Sequence, residues 1–215
     1  MIQWNQMGQA IYETVYMTAV TTLFVTILGL VLGSILFFTR PDGLEPHPIV
    51  HKILNGYVNI TRALPFVIFL LILMPVTRML IGTIFGPNAA LPALILGAAP
   101  FYARLVELAL REVDRGVLEA AESLGARRRD LFLKVLLPEA LPALISGLTV
   151  TVVTLIGYTA LAGVIGAGGL GNLAYLYGFQ RSNAAVMWTS TGFILLLVFI
   201  VQWVGDRLAK HVDQR

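Results

Sequence analysis

Long apolar blocks alternate with short polar segments along this chain. Five blocks are each about as long as the roughly 20 apolar residues that a helix needs to cross a bilayer. They cover residues 14–38, 58–81, 89–110, 144–165 and 184–205. The first block has no charged residue inside it, and the second and third carry their charges toward their ends. The pattern predicts an all-α, polytopic membrane protein with five transmembrane helices, built as a single domain over residues 1–215.

The composition supports a membrane protein. Only 13% of the residues are charged and 57% are hydrophobic, with a mean hydropathy of +0.81, whereas a soluble domain carries about 25% charged residues. The absence of cysteine excludes disulfides, thiolate metal sites and a cysteine nucleophile. Arg104 and Glu107 stand three residues apart, so they can pair on one helix face, which lowers the cost of placing both near the bilayer edge.

The distribution of Lys and Arg predicts the orientation of the chain. Of the 15 basic residues, only Arg78 and Arg181 fall on one side of the predicted topology. Because positive charge accumulates on the cytoplasmic side, we expect the N-terminus outside and the C-terminus inside. Cytoplasmic lipid headgroups then account for the basic charge, and no nucleic-acid partner is implied. The residues on the cytoplasmic side are Arg40, Lys52, Arg62, Arg104, Arg111, Arg115, Arg127, Arg128, Arg129, Lys134, Arg207, Lys210 and Arg215.

A charge-dense segment, residues 112–139, separates the third and fourth apolar blocks and contains the run EAAESLGARRRDLFLKVLLP. Asp114 is placed as the N-cap of a short helix, and Gly125 as its stop in the left-handed conformation. A second short helix over 127–136 is expected to end at Pro138, whose ring blocks continuation. The spacing alone leaves two interpretations open. One is an amphipathic loop held on the membrane surface by the basic run 127–129, and the other is a compact docking knob.

The same segment resembles the EAA signature of the permease subunits of ABC importers. The match spans about twenty residues and departs only at Val135, where the family more often has isoleucine. The resemblance implies a knob that docks into a cleft of a separate ATPase subunit. The residues assigned to this docking element are Glu119, Ala120, Ala121, Gly125, Leu137 and Pro138.

The resemblance also implies the partners. This sequence has no phosphate-binding G-x-x-x-x-G-K-[ST] loop, so ATP and Mg²⁺ are expected to bind the partner ATPase. The chain itself is expected to hold no cofactor and to be no enzyme. The implied assembly contains two ATPase subunits, a second copy of this chain and an outer substrate-binding protein, often a lipoprotein. It is expected in the bacterial cytoplasmic (inner) membrane.

Three further stretches, 61–78, 96–110 and 157–179, resemble the permeases of methionine importers. That resemblance implies import of D- or L-methionine by alternating access, with a permease for another small amino acid or organic solute as the alternative. A zwitterion with an apolar side chain needs only a weakly polar pathway. Leu161 lies in YTALAG, which resembles the subfamily stretch that narrows the pathway and so predicts a gate. The pathway candidates are Leu161, Tyr158, Thr159, Arg62, Pro65 and Asn172.

Several other patterns are weak. GAGGLG, residues 166–171, matches the letters of the dinucleotide fingerprint but lacks its strand–turn–helix context. It is expected to be either a flexible outer loop or a helix break at depth that lines a cavity.

His47 and His51 have no third ligand nearby, which disfavours a metal site. A proton- or sodium-coupled transporter needs a mid-membrane acid, and Glu107 lies toward the edge. The G-x-x-x-G of Gly29 and Gly33 predicts helix packing within the subunit.

Overall fold

A computed structural model describes residues 4–213, with the side chain of Arg115 left undescribed. Arg215, counted above among the cytoplasmic charges, lies outside the described residues. Over this range the chain is helical, and three stretches widen into π-helix. The α-helices are α1 (Trp4–Thr39), α2 (Pro48–Ala63), α3 (Phe66–Ile81), α4 (Pro87–Arg111), α5 (Arg115–Ser123), α6 (Arg128–Asp130), α7 (Leu137–Ala162), α8 (Gly169–Leu173) and α9 (Ala184–Val212). The π-helical segments are Leu131–Leu136, Gly163–Ala167 and Ala174–Gln180.

Four helical stretches within the described residues are long and apolar enough to cross a membrane. They are α1, α4, α9 and the run Arg128–Ala167, and the pair α2 and α3 makes a fifth if it is taken as one broken span. α1 begins at Trp4, ten residues before the block expected at 14–38. The extra turns belong to the fold because Met7 and Ala10 are buried there.

α4 is the centre of the packing. It contacts α1, α7, α3 and α2, and 61% of the residues in its apolar stretch are buried, against 11% in α9. Gly29 and Gly33 of α1 lie directly against it. A Cβ at Gly33 would stand 2.5 Å from the carbonyl oxygen of Ala103, and one at Gly29 would stand 2.5 Å from Cδ1 of Tyr102. The predicted packing role of this glycine pair within the subunit is therefore confirmed.

The single helix expected over 58–81 is wrong. α2 and α3 meet at an angle of 110°, and the break falls at Leu64 and Pro65, which are both extended with ψ of 131° and 130°. A proline clashes with an α-helical residue before it and has no N–H to give to a helical hydrogen bond. The helix therefore stops at Ala63 and restarts at Phe66.

The second short helix expected over 127–136 is also wrong in its end. The chain does not stop at Pro138 but runs helically from Arg128 to Ala167 over 40 residues. The preceding turn, Leu131–Leu136, is π-helical. A proline within a helix has no N–H for the usual bond and collides with the carbonyl four residues back, and the wider turn accommodates both defects.

The glycine-rich stretch GAGGLG is a break between two buried helical segments, which contradicts the flexible outer loop. Gly166, Gly168 and Gly169 have φ values of 101°, 85° and 77°, which L side chains rarely adopt. The freed carbonyls have partners: Gly166 accepts from the N–H of Gly86 at 3.0 Å, and Gly163 accepts from Nδ2 of Asn172 at 2.9 Å. Irregular backbone within a membrane protein is tolerated where the protein satisfies its polar groups, as it does for these two carbonyls.

A buried ion pair attaches α2 to α4. Arg104 donates to Glu107, as the spacing predicts, and the carboxylate is only 3% exposed. The same guanidinium also donates to the side-chain oxygens of Asn55 and Asn59 on α2, the latter at 2.9 Å. Asn55 and Asn59 are four residues apart, so both face α4. One arginine thus neutralises a buried carboxylate and holds the first half of the broken span.

We expect Gly33→Ala to destabilise the protein by about 1–3 kcal/mol, because the new methyl group collides with the backbone of α4. Gly8→Ala is the matched control in the same helix, since nothing lies within 4 Å of its added Cβ; its expected effect is neutral or stabilising by up to about 1 kcal/mol. Thermal unfolding of the purified protein in detergent measures both. Equal midpoints for the two variants contradict the close α1–α4 contact.

We expect Arg104→Met to lower the free energy of unfolding by about 3 kcal/mol, because it strands the Glu107 carboxylate in a buried site. The double variant Arg104→Met with Glu107→Gln is expected to recover much of this loss, since no buried charge remains. Denaturant titration in mixed micelles gives the values, with Arg111→Met at the exposed end of α4 as the control. A double variant as unstable as the single one contradicts the pairing argument.

Candidate functional site

The segment between α4 and α7 folds into a small knob, made of the short helix α5, a turn, and the start of the helical run that continues into α7. The side chain of Asp114 accepts a hydrogen bond from the N–H of Gly116 at 2.6 Å and so caps α5. At the other end Gly125 has φ of 79°. Its N–H donates to Glu122, and the N–H of Ala126 donates to Ala121, which together form a Schellman C-cap. Both capping predictions are confirmed.

One face of α5 packs on the protein and the other is open. Leu118 packs against the hydrophobic core that includes the end of α4. Glu119 and Ala120 are exposed, Ala121 is half-buried, and Leu124 is 89% exposed. A leucine exposed to that extent at the tip of a capped helix gains nothing from the fold of this chain. The open face, with Leu124 at its tip, is accessible for contact with another chain.

The second half of the knob is fixed to the loop between α1 and α2. Arg128 donates to the carbonyl of Leu44 at 2.8 Å and pairs with the carboxylate of Glu45 at 2.9 Å. The ring of Phe132 packs edge-on against Phe38 with centroids 5.2 Å apart. Arg128 therefore makes contacts within the protein, although it belongs to the basic run for which a membrane contact was one interpretation.

Leu137 and Pro138, assigned to the docking element, begin α7. Leu137 packs against the main core, and Pro138 is exposed in the first turn. A cavity of about 310 Å³ lies beside the knob. Its lining comes from the end of α1 with the loop after it, from the end of α4, and from α5. The lining residues include Phe37, Arg40, Leu44, Arg111, Leu118 and Glu119.

Three of the pathway candidates gather where α3 and α7 meet. Pro65 ends the break in the second span, and the next ring, Phe66, stacks on Tyr158 with centroids 4.1 Å apart and planes 2° from parallel. Leu161 lies one turn further along α7 and is 42% exposed. This stack aligns the bent span with the outer half of α7.

The other three candidates occupy different environments. Thr159 is 1% exposed, and its hydroxyl donates to the carbonyl of Ile156 at 2.8 Å. Asn172 holds the break between α7 and α8 through its bond to Gly163. Arg62 is exposed, and its guanidinium lies 5.8 Å from the centre of the Phe101 ring. These side chains therefore have contacts other than the stack of Phe66 and Tyr158.

Sequence reasoning missed two groups of polar residues. Asn55 and Asn59 bind Arg104, and their spacing of four on an amphipathic helix was the available signal. Glu13 contacts the backbone of α8. The sequence gives no signal for this contact, because Glu13, the one charge in α1, directly precedes the apolar block 14–38.

Known proteins match this chain over most or all of its length. The family described as binding-protein-dependent transport system inner membrane component matches residues 27–215. The methionine import system permease protein MetP of Bacillus subtilis is 52% identical over 214 residues, covering 100% of this chain and 96% of its own length. The probable D-methionine transport system permease protein MetI of Haemophilus influenzae is 45% identical, covering 99% of this chain and 100% of its own length.

Solved structures show the same fold. An inward-facing MetNI methionine ABC transporter contains a chain with a TM-score of 0.93 and 42% identity, covering 96% of this chain and 95% of that chain. A bacterial alginate ABC transporter matches in fold with a TM-score of 0.77 at 15% identity, covering 99% of this chain and 82% of that chain. This chain belongs to the family of binding-protein-dependent transport system inner membrane components.

Proposed function

We propose that this chain is the membrane-spanning subunit of an ATP-driven importer that carries methionine into the cytoplasm, with ATP and Mg²⁺ bound by a separate ATPase. The observation that carries the proposal is the capped knob whose outer face leaves Leu124 89% exposed. The distribution of Lys and Arg puts this knob on the cytoplasmic side, where ATP is available. The full-length identity to proteins named for methionine import supports the substrate.

The helical continuity from the knob into the membrane supports a mechanism. Residues Arg128–Ala167 form one helical run that starts at the knob and reaches the glycine break. Tyr158 and Leu161 lie on its far half. Closure of the ATPases draws the two knobs of a permease pair together, and the run carries that movement to the level of these side chains. The pathway then opens outward when the knobs are close and inward when they separate.

Such a cycle needs two states that bind their ligands differently. A substrate-loaded outer binding protein favours the outward-open state, and release of hydrolysis products favours the inward-open one. The chain itself makes and breaks no covalent bond in this scheme. Its exposed side chains at Pro65 and Leu161 face a second copy across the pathway, and a methionine zwitterion passes between weakly polar walls.

We expect Leu124→Asp to abolish recovery of the ATPase when this chain is purified from its native membrane in mild detergent. The residue makes no core contact, so the permease itself remains folded while the apolar docking contact is lost. Quantitative mass spectrometry of the purified complex gives the ratio of the two subunits. The control is Lys210→Asp, an exposed change in the last turn of α9. An unchanged ATPase ratio in Leu124→Asp means that the knob does not dock.

We expect the complex in proteoliposomes, supplied with its binding protein, to accumulate labelled methionine only with ATP inside. Replacement of Leu161 by Trp is expected to lower the uptake at least about tenfold without loss of the ATPase, because the bulkier ring fills the narrow point. Leu195→Trp is the matched control, since Leu195 is 50% exposed on the lipid-facing α9. If the complex takes up a different solute with ATP, and methionine does not compete with that uptake, methionine is rejected as the substrate. The assignment as an ATP-driven importer then still stands.

A further inference from the structure

Glu13 is an acidic residue in an otherwise uncharged, apolar helix. α1 contains 36 residues, and Glu13 is its only charged one. An acidic side chain in such an apolar helix is costly unless it has partners. Beside it lies a second hydrophobic cluster, which packs the outer end of α1 against α8 and the start of α9 and includes Met7, Ala10, Leu170, Leu173 and Val186.

The partners of Glu13 are a backbone donor at the glycine break and a side-chain donor one turn earlier in α1. Its Oε2 accepts from the N–H of Gly169 at 2.7 Å, and its Oε1 accepts from Nε2 of Gln9 at 2.9 Å. The next residue, Thr14, accepts from the N–H of Leu170 at 2.9 Å through its hydroxyl oxygen. Two adjacent residues of α1 therefore satisfy the first two N–H groups of α8, which have no partner within that helix.

The glycines make this contact possible. Gly168 has φ of 85° and ψ of −162°, a conformation that is essentially restricted to glycine. A Cβ there would lie 2.4 Å from Oε2 of Glu13, and one at Gly169 would lie 2.7 Å from the hydroxyl oxygen of Thr14. The carboxylate and the hydroxyl thus occupy the space that side chains on the break would fill. Sequence, backbone conformation and acceptor position fit one another.

We propose that Glu13 is a positioning residue for transport, which clamps the break between α7 and α8 to α1 and thereby fixes the outer end of α7. A charged acceptor makes a stronger hydrogen bond than a neutral one, and the half-buried carboxylate reaches the N–H of the buried Gly169. The break is also tied to α4 by the bond from Gly86 to Gly166. With one end of α7 held in this way, movement of the knob at the other end turns the helix about a fixed point. This role rests on the proposed function.

The clamp itself is tested by hydrogen exchange of the assembled complex in nanodiscs. Glu13→Ala is expected to speed exchange of the amides in 168–173 by about tenfold or more, because a buried donor loses its charged acceptor. Glu13→Gln keeps the size and one acceptor oxygen and is expected to fall between. Val15→Ala, two residues along the same helix, is the control. Exchange in Glu13→Ala equal to that in the control overturns the proposal.

Thr14→Val provides a second route if Glu13→Ala does not assemble. Valine has nearly the same shape as threonine but cannot accept from Leu170, so exchange at Leu170 is expected to rise while the helix contact is kept. Wild-type exchange in both Thr14→Val and Glu13→Gln then overturns the clamp.

The positioning role is tested by the amount of solute carried per ATP hydrolysed. Glu13→Ala is expected to lower this ratio about fivefold or more, with the basal ATPase rate and the amount of assembled complex unchanged. A residue with only a structural role lowers the amount of complex and leaves the ratio alone. Faster exchange with an unchanged ratio therefore rejects the positioning role. Absence of any ATP-driven uptake in the wild-type complex rejects the proposed function instead, and the exchange experiment still decides whether the clamp exists.

Discussion

Every peptide group that a chain carries into a bilayer must find a hydrogen-bond partner inside the protein, and the whole architecture here depends on that constraint. Within a helix the backbone hydrogen bonds meet this constraint. At each interruption of a helix, the freed N–H and C=O groups need other partners. At the first break the N–H of Leu64 still reaches Ile60, the N–H of Phe69 reaches Pro65, and proline has no N–H to satisfy. At the second break the partners come from elsewhere in the chain: Gly86, Asn172, Glu13 and Thr14.

Close packing around α4 gives these breaks a rigid frame. Hydrophobic burial drives the association of helices only weakly in lipid. Helices there pack mainly through small residues, which let two backbones approach closely. Gly29 and Gly33 supply this contact on α1, and Gly205 of α9 does so against Thr149, whose hydroxyl oxygen would lie 2.0 Å from an added Cβ. Polar bonds add to the packing where α2 meets α4 through Arg104. The peripheral α9 keeps large apolar side chains toward the lipid instead.

The arrangement is suited to transmitting movement over a distance. The knob is held by its caps and by Arg128, and its second half is the start of the helical run that passes Tyr158 and ends at the glycine break. Both ends of α7 are flanked by π-helical turns, Leu131–Leu136 and Gly163–Ala167. Such wide turns allow local change of direction without leaving donors unpaired. α7 therefore connects the knob at one end with the hydrogen-bonded glycine break at the other.

The sequence alone determined the class of the protein, its apolar blocks, the caps of α5 and the pairing of Arg104 with Glu107, because these depend on composition or on residues two to five positions apart. The docking role of the knob and the pathway residues remain predictions, since they depend on chains outside this one. A kink at Pro65 follows from local sterics and is readable from the sequence, whereas its angle of 110° was decided only by the tertiary structure. Continuity past Pro138 and the clamp at Glu13 were decided only by the tertiary structure. The first depends on a widened turn, and the second joins residues 156 positions apart in the chain, so no local pattern could place that carboxylate on those amides.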